Sequence, residues 1–246
     1  MMGAAGDDQV VANPYFASTL AGLTGNDTPW GSAFGDVMSD GDGNDILLVQ
    51  GGADTMFGGA GNDYFVVSDA NAVISENPGE GQDRVVFNGS FGNLFIGENV
   101  EEGELKGSAT AITGNAGNNL LIANASGVGS NIKGGAGDDV ILGSTGRDTI
   151  EGGAGNDWLI GGGGEDVFVY DARGGWGNDN IFGSIPRTGL NVNEGSKLLF
   201  TNAVGPYAPV MVQVGGGNSY VLIPQRPDLG TITIHGAVVQ ASDFLF

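Results

Sequence analysis

The chain has 246 residues, with 29 Asp and Glu against 8 Lys and Arg and a formal net charge of −21. That balance excludes nucleic acid and anionic membrane surfaces as partners, because both are bound through basic patches. Cysteine is absent and His235 is the one histidine, so disulfides, thiolate metal sites and a histidine-based zinc cluster are excluded as well, and His235 is expected to be an ordinary strand-end residue.

The first residues, Met1 to Asp8, lack the basic and apolar regions of a Sec-type signal peptide, and residues 1–21 are expected to form a leader or cap. No apolar run of about 18 residues is present, so no membrane span is expected. From Gly22 to Val66 the chain divides into nonapeptides without a gap: GLTGNDTPW, GSAFGDVMS, DGDGNDILL, VQGGADTMF and GGAGNDYFV. The sixth position is Asp27, Asp36, Asp45, Asp54 and Asp63, and the eighth is apolar throughout, from Pro29 to Phe65. Residues 67–133 keep the pattern in weaker form, with Asp83 in PGEGQDRVV, Asn119 in GNAGNNLLI and Ser130 in ASGVGSNIK, which predicts a degenerate solenoid with few or no ion sites. A second regular block fills 134–182, where GGAGDDVIL, GSTGRDTIE, GGAGNDWLI and GGGGEDVFV carry Asp139, Asp148, Asp157 and Asp166. Tyr170 to Arg173 interrupt it, and GGWGNDNIF resumes it with Asp179. Residues 183–246 are expected to form a C-terminal β cap.

Fixed internal periods of this kind mark solenoids. The last three residues of each nonapeptide read as a short strand. Alternation along a strand sends the eighth side chain inward to build a thin apolar stack. The first six read as a turn, in which glycine supplies positive φ and close approach. Each nonapeptide then makes half a coil, and the aspartates of repeats n and n+2 face one gap. Stacked carboxylates repel, and a hard cation with oxygen ligands reverses the sign. Ca²⁺ takes 6–8 oxygens from carboxylates and carbonyls, whereas Mg²⁺ demands a tighter octahedron. A single aspartate of this kind reads as a turn former. The strict register of both blocks points to calcium instead.

These nonapeptides resemble the GGxGxDxUx repeat of the RTX (repeats-in-toxin) family, most closely in GGAGNDYFV, GGAGDDVIL and GGAGNDWLI. The stretch from Asn62 to Phe87, continued by GENVEEGELKGSATAITGNAGNN, is similar to the linker between repeat blocks of such proteins, with Gly103 where leucine is usual. The resemblance implies an all-β fold, a parallel β-roll or β-solenoid with a C-terminal β cap. It implies a ligand set: carbonyls of positions 2 and 4 and the aspartate of repeat n, with carbonyls of positions 1 and 3 and the aspartate of repeat n+2. By position these are Gly41, Gly43 and Asp45 with Gly58, Ala60 and Asp63. In the second block they are Gly135, Gly137 and Asp139 with Gly152, Ala154 and Asp157, and Ser144, Gly146 and Asp148 with Gly161, Gly163 and Asp166. The pairs Asp27/Asp45, Asp36/Asp54 and Asp157/Asp179 are less regular, Phe34 and Val49 standing at glycine positions of the second pair. About four to six calcium ions are implied. Asp45 is expected to serve two ions, so that its replacement costs more than that of Asp27.

The ending Asp243-Phe244-Leu245-Phe246 is similar to the uncleaved signal of type I secretion substrates, which implies export through a type I secretion apparatus and an extracellular or cell-surface location. No HExxH, GxSxG or Cys-His arrangement is present, and no catalysis is expected. Two roles stay open: a secreted structural or surface-layer, matrix or adhesin-like protein, whose partners would be itself or cell-surface polysaccharide, or the folding and export module of a larger extracellular hydrolase. Trp30, Trp158 and Trp176 could offer stacking platforms for sugars, but are expected to pack at turn edges.

Overall fold

The computed structural model describes residues 1–90, 92–124, 127–171, 175–182, 197–201, 210–213, 219–223, 231–235 and 244–245, and all of the regular structure among them is β-strand. The chain divides into two compact units, Met1–Ala111 and Ile112–Phe246. Each is a parallel β-roll of the predicted kind.

In the first unit one face stacks Gln9–Val11, Thr28–Trp30, Ile46–Leu48, Tyr64–Val67, Arg84–Phe87 and Glu102–Leu105 in that order, and the other stacks Thr19–Thr24, Val37–Asp42, Thr55–Ala60 and Val73–Ile74. Strands neighbouring in space are two apart in sequence, as half-coils require. Register is in phase with the repeat: Leu47 pairs with Phe65 and Met38 with Met56. In the second unit Leu120–Ile122, Val140–Leu142, Trp158–Ile160 and Asn178–Phe182 form one face. Asn131–Ala136, Thr149–Ala154 and Val167–Asp171 form the other, with Ile132 opposite Ile150 and Ile150 opposite Phe168.

The eighth position is the core. Leu20, Met38, Leu47, Met56, Phe65, Ile141, Ile150 and Leu159 are fully buried, and Phe168 and Ile181 nearly so. Each such side chain contributes about 1.5–3 kcal/mol by leaving water. Ile141 is fully buried, so a lost methyl there leaves unfilled space. Ile141→Val should therefore lower the stability of the folded, calcium-loaded chain by about 1 kcal/mol, read as a lower thermal midpoint.

Two features differ from the sequence expectation. The turn does not occupy the whole of the first six positions: Val37–Asp42, Thr55–Ala60, Asn131–Ala136 and Thr149–Ala154 run on through the first three residues of the next repeat. Alternation then turns position 1 inward as well, as the buried Asp40, Gly58, Gly134 and Gly152 show. The second feature is at the start. Residues 3–11, GAAGDDQVV, form a further repeat, in which Val10 is buried, Gln9–Val11 pairs with Thr28–Trp30, and the Asp8 N–H donates to the Asp27 carboxylate at 2.8 Å. The segment expected as a leader thus contains the opening coil. Its offset hides it, since Asp8 precedes Asp27 by 19 residues instead of 18.

The stack in the second unit ends in a change of direction. Thr231–His235 still runs parallel to Asn178–Phe182, but Ser219–Ile223 and Val210–Gln213 add to it antiparallel. On the other face Lys197–Thr201 pairs with Val167–Asp171 and Phe244–Leu245 pairs with Lys197–Thr201. Within residues 183–246, Lys197–Thr201 and Thr231–His235 are strands, and His235 ends the second of them. Arg173 in the interruption, and Asp243 and Phe246 of the expected export signal, lie outside the described residues.

Candidate calcium-binding turns

Each position-6 aspartate closes the turn of the preceding coil. The backbone N–H of Asp27 donates to Oδ1 of Asp45 at 2.7 Å, that of Asp45 to Asp63 at 2.8 Å, and that of Asp63 to Asp83 at 2.8 Å. On the opposite edge Ser18 donates to Asp36 and Asp36 to Asp54. In the second unit the column runs Asn119, Asp139, Asp157, Asp179, and its companion runs Ser130, Asp148, Asp166. The expected pairs n and n+2 are therefore brought together in both units. Asp27 faces the coil of Asp8 as well as that of Asp45, just as Asp45 faces those of Asp27 and Asp63.

The second oxygen carries the chemistry. Oδ2 of Asp27, Asp45, Asp54, Asp63, Asp139 and Asp157 is buried without a hydrogen-bond partner. A buried carboxylate oxygen with no donor costs several kcal/mol if it is charged. Burial accordingly raises the carboxyl pKa of Asp63 and Asp139 to about 7 and of Asp54, Asp157 and Asp166 to about 6, against the pull of the turn N–H that each accepts. Asp179 rises to about 8, again chiefly by burial, with the Asp157 charge adding to it. Asp45 and Asp148 are raised by burial too. The Tyr170 hydroxyl lies beside Asp179, and burial raises its pKa well above the ordinary value.

Carbonyls converge on the same gaps. A Cβ at Gly59 or Gly61 would overlap the carbonyl oxygens of Gly41 and Gly43, one coil back. Gly135 and Gly137 aim at Gly153 and Gly155 in the same way, and Ser144 and Gly146 at Gly162 and Gly164. From the other side the carbonyls of Gly152 and Gly161 aim back at Gly134 and Gly143. Gly58, Ala60, Ala154 and Gly163 stand at the matching stacked positions. The Ala60 carbonyl accepts the Gly43 N–H at 2.7 Å, and its second lone pair is the one left for a cation. Among the described residues no group of three or more Asp, Glu, His or Cys side chains converges tightly enough to cage a metal alone. A cation here must draw on backbone oxygens, as the implied ligand set does. Orphaned carboxylate oxygens facing converging carbonyls fit a hard divalent ion such as Ca²⁺.

The turns are not equivalent. Where position 2 is serine, the repeat satisfies its own aspartate: Ser32 donates its N–H and hydroxyl to Oδ2 of Asp36, and Ser144 does so to Asp148. Oδ2 of those aspartates holds protein donors, where Oδ2 of Asp54 holds none. Val49 is buried and Phe34 exposed at the two irregular positions of the Asp36/Asp54 pair.

Three features of the turns go beyond the sequence expectation. Asp83, expected in a nearly ion-free stretch, joins the first column, is buried, and has its pKa raised to about 6 by burial. Its own N–H donates to Glu101 at 2.8 Å, so a glutamate continues the column. Position 5 builds a second, exposed ladder that points the opposite way: Asn44 N–H donates to the Asn26 side chain, Asn62 to Asn44, Asn156 to Asp138 and Asn178 to Asn156. The recurring Asn at that position is its visible signal. Finally, Asp40 and Glu76 place carboxylates at position 1. Trp176 is buried against Tyr170 with its Nε1–H on the Asp171 carbonyl, which is the expected packing role, while Trp30 and Trp158 are 45% and 50% exposed.

The RTX calcium-binding nonapeptide repeat (4 copies) is matched at residues 30–65, 133–168 and 172–185. No curated protein matches the sequence. Among solved structures, that of the extracellular lipase LipA from Serratia marcescens is similar, with a TM-score of 0.39 and 18% identity over 94% of this chain and 40% of that one. The chain thus spans 40% of the length of that lipase. With the periodic carboxylates, the inward eighth position and the matched residues together, the chain carries the calcium-binding nonapeptide repeats of the RTX family, wound as a parallel β-roll.

Proposed function

We propose that this is an extracellular calcium-loaded roll, with a structural or cell-surface role, whose folding is driven by the ions that its turns collect. The observation that carries the reading is the set of buried Oδ2 atoms left without a donor in both units. Asp45/Asp63 with the Gly41 and Gly43 carbonyls, and Asp139/Asp157 with those of Gly135 and Gly137, are the pairs best equipped to hold an ion. Asp148/Asp166 and Asp36/Asp54 are weaker, because serine already occupies one carboxylate of each. Ion binding then stabilises the fold by RT ln(1 + [L]/Kd) per site, about 4 kcal/mol at a thousandfold excess. Export ahead of folding, through a type I apparatus, is consistent with a chain of net charge −21 that stays extended where calcium is scarce. Among the described residues no helix is long and apolar enough to cross a membrane.

Isothermal titration of the full chain with Ca²⁺, in excess Mg²⁺, tests this. Several equivalents of calcium should bind despite the competitor. A chain that takes up no calcium, or yields it equally to magnesium, would rule the reading out.

A further inference from the structure

Position 1 points into the roll, and in the column Gly22, Asp40, Gly58, Glu76 it carries two carboxylates where the repeat prescribes glycine. Glycine is favoured there because a Cβ at Gly22 or Gly58 would run into the carboxylate of its own repeat, Asp27 or Asp63. The side chain of Asp40 therefore starts toward Asp45. It is fully buried, and neither of its oxygens has a hydrogen-bond partner. The charges it feels are Asp45 first, then Asp27 and Asp63, and the nearby Gly22 amide is not in hydrogen-bond geometry. Ion pairs among the described residues involve Arg84, Lys106, Lys133 and Arg147, none of them in this column. Burial and these like charges raise the Asp40 pKa to about 8.

Glu76 shows what a carboxylate with a protein task looks like at the same position. It accepts the N–H groups of Gly58, at 2.6 Å, and Gly59, at 3.1 Å, and so tethers the coil before it. Asp40 approaches the Gly22 amide of the coil before it in the same sense, but short of hydrogen-bond geometry. Its unpartnered oxygens share the interior with the unpartnered Oδ2 atoms of Asp27, Asp45 and Asp63.

We propose that Asp40 is an additional ligand for a hard cation seated between the turns of Asp27 and Asp45, its carboxylate and those of the two turns being drawn together by the ion rather than already converged. Backbone oxygens complete the shell. The extra negative charge makes this the tightest site of the first unit, since ligand charge count tunes calcium affinity. The inference rests on the calcium reading above and adds to it a side chain outside the repeat's own ligand set, which draws on position 1 through its carbonyl alone.

The test compares calcium titrations of the full-length wild type, Asp40→Asn and Asp40→Gly by isothermal calorimetry. Asp40→Gly restores the residue that Gly22 and Gly58 already place in this column, so the roll retains its fold. One ion should bind about tenfold or more weakly in both variants, with the remaining sites unchanged. Unchanged or tighter binding in both variants would overturn the proposal and leave Asp40 as a protonated buried carboxyl. Absence of calcium uptake by the wild type would overturn the underlying reading, a result distinguishable from the first because it does not depend on the substitution.

Discussion

Stripped of calcium near neutral pH, the chain should lose its β-sheet circular dichroism, regain it with millimolar calcium, and regain much of it without calcium on acidification. Proton linkage sets the sign. Ordinary Asp and Glu titrate near 4 in an unfolded chain. In the roll, burial raises Asp40 and Asp179 to about 8, Glu76, Asp63 and Asp139 to about 7, and Asp54, Asp83, Asp157 and Asp166 to about 6. A group whose folded pKa is raised adds stability that is complete below its unfolded pKa and disappears as pH climbs through the folded value. The calcium-free fold is thus favoured near pH 5 and lost between about pH 6 and 8. Each tenfold rise in a carboxylate's proton affinity on folding corresponds to about 1.4 kcal/mol, and a domain's whole stability is about 5–15 kcal/mol, so several ionised buried carboxylates suffice to unfold it. Calcium reverses the dependence, because it binds the ionised form and competes with protons. The measurement is a far-ultraviolet spectrum with chelator at about pH 5 and pH 8, each repeated with calcium. A chelated chain with the full β signal and a cooperative melt at pH 8 would refute the folding switch.

Gly61→Ala should abolish folding of the first unit, or destabilise it by about 4 kcal/mol or more even in saturating calcium. Gly61 has φ +139°, which an L side chain rarely adopts, and a Cβ there would overlap the Gly43 carbonyl. The obstacle is backbone of the neighbouring coil, itself fixed by the Gly43 N–H bond to Ala60 at 2.7 Å, so it cannot step aside as a flexible side chain would. Moving it would also displace the Gly43 carbonyl from the gap between Asp45 and Asp63. Gly51→Ala is the control, because a Cβ at Gly51 meets nothing within 4 Å. Calcium-dependent melting should separate the two variants clearly. Equal midpoints would mean that the coils stand further apart than this geometry requires.

What could be read in advance was whatever repeats with the period. Leu47 and Ile141 announced the core and Asp45 and Asp63 the shared gap, because a stacked coil imposes one environment on every copy of a position. What could not be read were the departures. Asp40 looks like turn composition until strand Val37–Asp42 is seen to run past the repeat boundary and rotate position 1 inward. Ser32 and Ser144 look like small turn residues, yet each satisfies its own aspartate. Gly103, unusual for a linker, proves to be a buried strand residue opposite Val85, tolerated because its neighbour Leu105 packs in the core. Asp8 escaped because a single extra residue breaks the count without breaking the coil.

That tolerance has a practical side. The bond from one turn amide to the next aspartate is 2.8 Å across 18 residues at Asp45, 2.8 Å across 20 at Asp63 and 2.9 Å across 22 at Asp157. Coils of different contour length thus meet the same neighbour in the same way, and residues 77–79 of the longer coil before Asp83 are exposed. The roll behaves as a ruler along its axis and as an open hem along its edge. The hem between Glu76 and Asp83 is the natural place to splice a foreign peptide, for display on a scaffold that forms on demand.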